Sequence, residues 1–242
     1  MSLLQVQGVS KSFAGLRAVD DVSIELREHE FLGIIGPNGA GKTTLFSLLS
    51  GEQSPTSGQV VFDGQDITGW PAHKVAHTGL VRTFQLMRPF GSMTVLENVT
   101  IAALQRHRSR PAARRHALEV LDRVQLGDQY ATDSGSLSTA GLKRLELARA
   151  LALEPRVILL DEVLAGLVPA ERAPMIELLR EVHSDGLTVM FVEHIMAAVM
   201  ALSERLVVMH EGAVLMDGPP REVVEDPRVV EAYLGAPPEA VA

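Results

Sequence analysis

Gly36-Pro37-Asn38-Gly39-Ala40-Gly41-Lys42-Thr43 fits the pattern G-x-x-x-x-G-K-S/T, and the residues around it decide the fold. Before it, Phe31 to Ile35 is a short apolar run that suits a buried strand. After it, Lys42 to Ser50 suits a helix, with Gly51 placed to stop it. Gly36, Gly39 and Gly41 permit backbone angles closed to other residues and let the chain approach an anion closely. Pro37, Asn38 and Ala40 fill the loop between them, and its successive N–H groups form a nest. The helix aims its positive end at the same place. Lys42 adds a full charge for β- and γ-phosphates, Thr43 a hydroxyl for Mg²⁺, and Thr44 a hydrogen bond to a phosphate oxygen. Strand, loop and helix together predict a site for a nucleoside triphosphate, ATP with Mg²⁺, from Gly36 to Thr44.

Working outward, Leu4, Val6 and Val9 mark a strand-like start, and Val22, Ile24 and Leu26 alternate with polar residues as a half-buried strand. Gln59 to Phe62 reads as another strand, closed by Asp63-Gly64. From Thr94 to Leu153 the apolar spacing turns helical. Thr94-Val95-Leu96-Glu97 has the capping-box pattern. Leu118, Leu121 and Val124 mark one helix face, and a further helix fits Leu142 to Leu153. The last third alternates again. Strands fit Val157 to Leu160, Leu187 to Val192, Leu206 to Met209 and Ala213 to Met216. Met175, Leu178, Leu179 and Val182 share a helical face ending near Gly186. The Pro- and Ala-rich tail after Leu234 reads as fraying. The pattern is an α/β core interrupted by a helical lobe.

A second constellation lies at the end of the strand Val157 to Leu160, which runs into Asp161-Glu162. Ligands of α/β sheets sit at such strand ends. Asp161 reads as a holder of Mg²⁺, and Glu162 as the base that polarises an attacking water.

Composition bounds these readings. The 242 residues are 46% hydrophobic and 21% charged, as in a folded globular domain. The net charge of -8 argues against a nucleic-acid partner. With no cysteine, disulfides and thiolate metal sites are excluded. Neither a membrane-spanning run nor a signal peptide is expected, so work at a membrane requires another polypeptide as anchor.

Further motifs follow in order: Phe13 after Val9-Ser10-Lys11-Ser12, Gln85 after Arg82-Thr83-Phe84, and Leu137-Ser138-Thr139-Ala140-Gly141 before Lys143-Arg144-Leu145-Glu146-Leu147-Ala148-Arg149. Ala165-Gly166-Leu167 and His194 after Val192-Glu193 complete them. With these the sequence resembles the nucleotide-binding subunit of an ATP-binding-cassette (ABC) transporter, from Leu3 to Leu234. The resemblance implies a P-loop NTPase of ABC ATPase type: a RecA-like α/β core, an N-terminal antiparallel β part and an inserted α-helical subdomain. It implies one domain over 1–242, with 1–86 and 153–242 forming the core and 87–152 the helical subdomain that carries the signature segment.

The resemblance also implies roles. Phe13 stacks on adenine, Gln85 joins Thr43 and Asp161 at Mg²⁺ and contributes to catalysis, and His194 contacts the γ-phosphate or the attacking water. Ser138, Ala140 and Gly141 serve the nucleotide of a partner subunit. The segments Thr94-Val95-Leu96-Glu97-Asn98-Val99 and Asp226-Pro227-Arg228-Val229-Val230-Glu231-Ala232-Tyr233-Leu234-Gly235 resemble ATPases of branched-chain amino-acid uptake. An importer of that kind implies two integral-membrane permeases, a second ATPase subunit that is either identical or a sister, and indirectly an extracytoplasmic binding protein. It places the chain at the cytoplasmic face of the membrane, as a peripheral subunit.

The signature departs from the family pattern Leu-Ser-Gly-Gly-Gln at Ala140 and Gly141, and Val168 replaces the acid or amide after Ala165-Gly166-Leu167. These residues put contacts to a partner's nucleotide at issue. An importer of urea or short amides, a non-hydrolysing nucleotide-gated protein and a soluble ABC protein of DNA repair or translation stand as alternatives. His73 and His77 are spaced i,i+4, but Lys74 replaces the acid of a zinc-protease motif, so they read as surface. The basic run Arg106, Arg108, Arg110, Arg114 and Arg115 reads as a solvated helix face, with lipid headgroups or a permease loop as the sharper option.

Overall fold

Alternating burial builds the first sheet. In the computed structural model, which describes residues 2–83 and 90–234, β1 (Ser2–Phe13) and β2 (Leu16–Arg27) pair antiparallel. Leu4, Val6 and Val9 of one and Val22, Ile24 and Leu26 of the other are buried, as the two-residue period requires. β3 (Phe31–Ile35) is buried throughout and runs into α1 (Lys42–Leu49). β4 (Ser57–Phe62) adds antiparallel to β1, and β5 (Gln65–Asp66) adds to β4, giving the sheet order β2-β1-β4-β5. A short helix, α2 (Ala72–Thr78), closes this stretch.

The chain forms two compact units, and residues 79–187 make the second. It opens with β6 (Leu80–Arg82) and continues with α3 (Val95–Ala103), α4 (Arg110–Arg123), α5 (Thr139–Leu151), β7 (Val157–Asp161) and α6 (Pro169–Ser184). β6 and β7 pair in parallel, with Arg82 opposite Leu159. The capping box forms: Thr94 Oγ1 accepts from the Glu97 N–H at 3.2 Å, and Glu97 Oε2 accepts from the Thr94 N–H at 2.8 Å. Two helices differ from expectation. α5 begins at Thr139 rather than Leu142, because the Ser138 hydroxyl caps it and allows a first turn without large apolar residues. α4 buries Ala113, Ala117, Val120 and Leu121, while Leu118 is half-buried and Val124 is the residue that ends the helix.

The chain then returns to the first unit with β8 (Thr188–Val192), α7 (Met196–Leu202), β9 (Arg205–His210), β10 (Ala213–Gly218), α8 (Pro220–Glu225) and α9 (Pro227–Leu234). β3 lies between β8 and β9 and is parallel to both, while β10 turns back antiparallel on β9. Among the described residues no helix is long and apolar enough to cross a membrane. The tail expected to fray after Leu234 lies outside the described residues.

Candidate nucleotide site

In the first unit, register places the loop. Ile34 pairs with Val192 and Ile35 with Val208, so Gly36 and His194 both follow the same ends of neighbouring parallel strands. That is the sheet edge at which α/β proteins take ligands. Gly36 has φ 152°, and a Cβ there would sit 2.1 Å from the Met209 carbonyl oxygen. Gly41 has φ 96°, and its Cβ would sit 2.2 Å from the Ala18 carbonyl oxygen. The loop is therefore threaded between β9 and the start of β2, and only glycine fits at these two points. It is also tied from outside: the Gly212 N–H donates to Ala40 O at 3.2 Å, and the Asp20 N–H donates to Gly212 O at 2.8 Å.

Lys42 is buried, and its ammonium donates to Gly36 O at 2.7 Å and Pro37 O at 2.9 Å. The lysine thus spans the mouth of the loop that its own helix follows. Thr43 is exposed and Thr44 half-buried, while Asn38 and Gly39 are exposed and Ala40 is buried. The first N–H groups of α1 have no acceptor within the helix and face an approaching anion. Phe13 is 42% exposed at the end of β1, with the Lys11 ammonium 5.2 Å from its ring centroid. His194 is exposed, and its N–H donates to the buried Glu193 carboxylate at 3.3 Å. Tyr233 of α9 also reaches this region. Burial pushes its phenol up, and a hydrogen bond with the Gly36 backbone opposes that shift.

In the second unit, parallel pairing brings Arg82 and Thr83 out at the same end as Asp161 and Glu162. Asp161 is 1% exposed. Its Oδ2 accepts from Arg82 Nη2 at 2.7 Å, whereas its Oδ1 is buried with no hydrogen-bond partner among the described residues. A buried carboxylate oxygen left over in this way fits a hard cation or the water bound to one. Glu162 follows with φ 50°, and the buried Lys143 of α5 donates to its backbone carbonyl at 2.9 Å. Gln85 lies outside the described residues.

The signature segment sits at the start of α5. Ser138 is exposed, and its Oγ accepts from the Gly141 N–H at 3.2 Å. The hydroxyl hydrogen is left to donate outward, at the positive end of the helix. Ala140 is half-buried in the first turn and Gly141 is buried. Gly166 packs 3.7 Å from the Thr139 methyl, measured from where its Cβ would lie. Val168, the residue before α6, is 56% exposed, and Glu171 accepts from its N–H at 3.1 Å.

A family model described as ABC transporter matches residues 19–165, and another described as branched-chain amino acid ATP-binding cassette transporter matches residues 213–239. The chain belongs to the ABC transporter family. It is an ATPase of that family, with the mixed α/β fold that the phosphate loop predicts. A high-affinity branched-chain amino acid transport ATP-binding protein, BraF of Pseudomonas aeruginosa, is 39% identical over 96% of this chain and 98% of its own. The corresponding LivG protein of Escherichia coli is 37% identical over the same shares. A nucleotide-free ATP-binding cassette from an ABC transporter superposes with a TM-score of 0.89 at 31% identity, covering 97% of this chain and all of that one. A dimeric cassette in a post-hydrolysis state with ADP and phosphate superposes at 0.81, with 26% identity over 90% of this chain and 99% of its own.

Sequence reasoning missed the partners of these ABC residues. Arg82 precedes Thr83-Phe84-Gln85, but nothing local says that it faces Asp161, 79 residues away. Lys143 reads as one cation of a mixed helix, although its 4% exposure makes it a structural tie. Its spacing of four and seven residues from Leu147 and Ala150, which puts it on their buried face of α5, was the available signal.

Proposed function

We propose that this chain is the ATP-hydrolysing subunit of an importer for branched-chain amino acids. The match of residues 213–239 to the branched-chain amino acid cassette model carries the substrate class, and the names of the two relatives support it. In this reading the phosphate loop, Gly36 to Thr44, holds ATP and Phe13 stacks on the adenine. Thr43, Gln85 and Asp161 hold Mg²⁺, and the orphaned Asp161 Oδ1 supports that role. The ion supplies charge neutralisation at the β- and γ-phosphates when bound. Glu162 takes a proton from the attacking water, while His194 orients that water and hydrogen-bonds the terminal phosphate.

Ser138, Ala140 and Gly141 present the N-terminus of α5 to the nucleotide of a second ATPase subunit. The helical subdomain that carries them spans 87–152 within a single ABC domain. Closure of the ATPase pair then moves two integral-membrane permeases that receive substrate from an extracytoplasmic binding protein. The chain works as a peripheral subunit at the cytoplasmic face, with no nucleic acid involved.

The test is reconstitution of the chain with its neighbouring permeases and binding protein in vesicles. Leucine, isoleucine or valine should stimulate phosphate release and enter the vesicles. Glu162→Gln should reduce turnover by a factor on the order of 10² or more. Stimulation by urea or short amides in place of these amino acids would move the chain to another substrate class. Turnover unaffected by Glu162→Gln would remove Glu162 from its role.

A further inference from the structure

Two histidines and a glutamate that the nucleotide chemistry does not use converge in the second unit. His107 follows α3, and its N–H donates to Ala103 O at 2.9 Å. His116 lies within α4. Glu154 follows α5 with φ 49°, and its N–H donates to Leu151 O at 2.9 Å. The three residues come from three separate segments, yet their donor atoms all lie within 4.8 Å of one another. His107 Nε2 is 3.3 Å and His116 Nε2 3.9 Å from the same oxygen, Glu154 Oε1. A tetrahedral ion with bonds of about 2.1 Å sets neighbouring donors roughly 3.4 Å apart, which is the scale of these separations.

The hydrogen bonding is unfinished without a further atom. Both Nε2 atoms are buried, and neither has a hydrogen-bond partner among the described residues. Buried ring nitrogens are ordinarily satisfied, so two orphans within 4 Å of one carboxylate oxygen need a reason. The two rings lie close together, with centroids 4.7 Å apart. One cation between them satisfies both nitrogens at once.

The surroundings suit an ion. Glu119 Oε2 lies 3.8 Å from His116 Nδ1, which adds negative charge beside the ring without a hydrogen bond to it. Of the nearby guanidinium groups, Arg106 is turned onto Leu153 O at 2.6 Å, and Arg123 is paired with Asp185 at 2.6 Å. The Glu154 side chain is 51% exposed, which leaves an entry path and room for water as a fourth ligand.

We propose that His107, His116 and Glu154 form a binding site for a divalent transition-metal ion, of which Zn²⁺ is the best match. Two imidazole nitrogens and one carboxylate oxygen suit Zn²⁺ and its first-row neighbours, and they do not suit Mg²⁺ or Ca²⁺, which take oxygen ligands. Bound there, the ion joins the segment after α3, the middle of α4 and the turn after α5, and so acts as a clasp on the helices of this unit. Nothing in this depends on the transported substrate.

The experiment uses the full chain, stripped of metal with a chelator and titrated with Zn²⁺ against a chromophoric competitor. One equivalent should bind per chain. His107→Ala and His116→Ala should each weaken binding at least about tenfold, as loss of a ligand requires. Glu154→Gln should weaken it as well, and His73→Ala with His77→Ala should leave it unchanged. Absence of Zn²⁺ uptake, or uptake indifferent to His107→Ala and His116→Ala, overturns the proposal. Should either variant fail to fold, X-ray absorption on the Zn²⁺-loaded wild-type chain decides: two imidazoles in the coordination shell support the site, and fewer overturn it.

Discussion

Arg82 and Asp161 form a buried ion pair in which the guanidinium Nη2 lies 2.7 Å from the carboxylate, with side-chain exposures of 7% and 0%. The pair holds one oxygen of Asp161 and leaves the other for an incoming group. Removing only the arginine strands a buried charge, which costs about 3 kcal/mol. Arg82→Ala should therefore lower stability by about that amount in urea unfolding. Asp161→Asn in the Arg82→Ala background should recover part of it. Strictly additive losses would show that the two residues are not coupled.

In the proposed mechanism, where Glu162 is the base, Lys143 positions it. Its ammonium holds the Glu162 carbonyl at 2.9 Å, where the glutamate backbone sits in the left-handed region at φ 50°. Lys143→Met keeps the aliphatic stem and removes the tie. The expected result is a fall in kcat of roughly tenfold to a hundredfold with KM for ATP little changed, because misplacing a catalytic group by about 1 Å has that scale of effect. A rise in KM at constant kcat would instead place Lys143 in nucleotide binding.

The glycines of the phosphate loop should not be equivalent. At Gly41 a methyl would meet the Ala18 carbonyl oxygen at 2.2 Å, whereas at Gly39 nothing lies within 4 Å. Gly39→Ala then carries only the left-handed backbone cost of about 1–2 kcal/mol. Gly41→Ala must also displace the start of β2. Titration with a fluorescent ATP analogue should show a modest loss for Gly39→Ala and no measurable binding for Gly41→Ala.

Val168 occupies a capping position with an apolar side chain that is 56% exposed. Aspartate there would accept from the first-turn N–H groups of α6 and complement its dipole. Val168→Asp should raise stability by about 1 kcal/mol, visible as an upward shift in Tm. A lowered Tm would mean that the valine makes contacts which this geometry does not show.

The capping box at α3 gives a pH dependence with a definite sign. Hydrogen bonds from the Thr94 backbone and hydroxyl hold the Glu97 carboxyl below its usual value of 4.5. A depressed folded value means that the contribution is present above the unfolded pKa and is lost as pH falls through the folded one. Wild type and Glu97→Gln should differ at neutral pH and converge in acid, as followed by thermal melts across that range.

Much of this was legible because hydrophobic runs end where chemistry begins. Phe31 to Ile35 and Val157 to Leu160 are buried strands, and each announces itself by its composition and by the loop or acids after it. The start of α5 does not show in the apolar spacing, because Thr139, Ala140 and Gly141 offer no large apolar side chain and only Ser138 signals the helix. β6, with three residues, is too short to show a period. The pairing of Arg82 with Asp161 and the proximity of His107 and His116 to Glu154 join residues distant along the chain. Such partners are set by strand register and helix packing, which a local reading of residue types does not contain.

Lys42 donates to the carbonyl oxygens of Gly36 and Pro37 in its own loop. Those oxygens act as placeholders for phosphate, so nucleotide entry is an exchange of one set of acceptors for another. The heat released should be smaller than the number of new bonds suggests. A polyphosphate can meet the lysine and the loop's N–H groups together, so it competes for Lys42 with more contacts than a single small anion can offer.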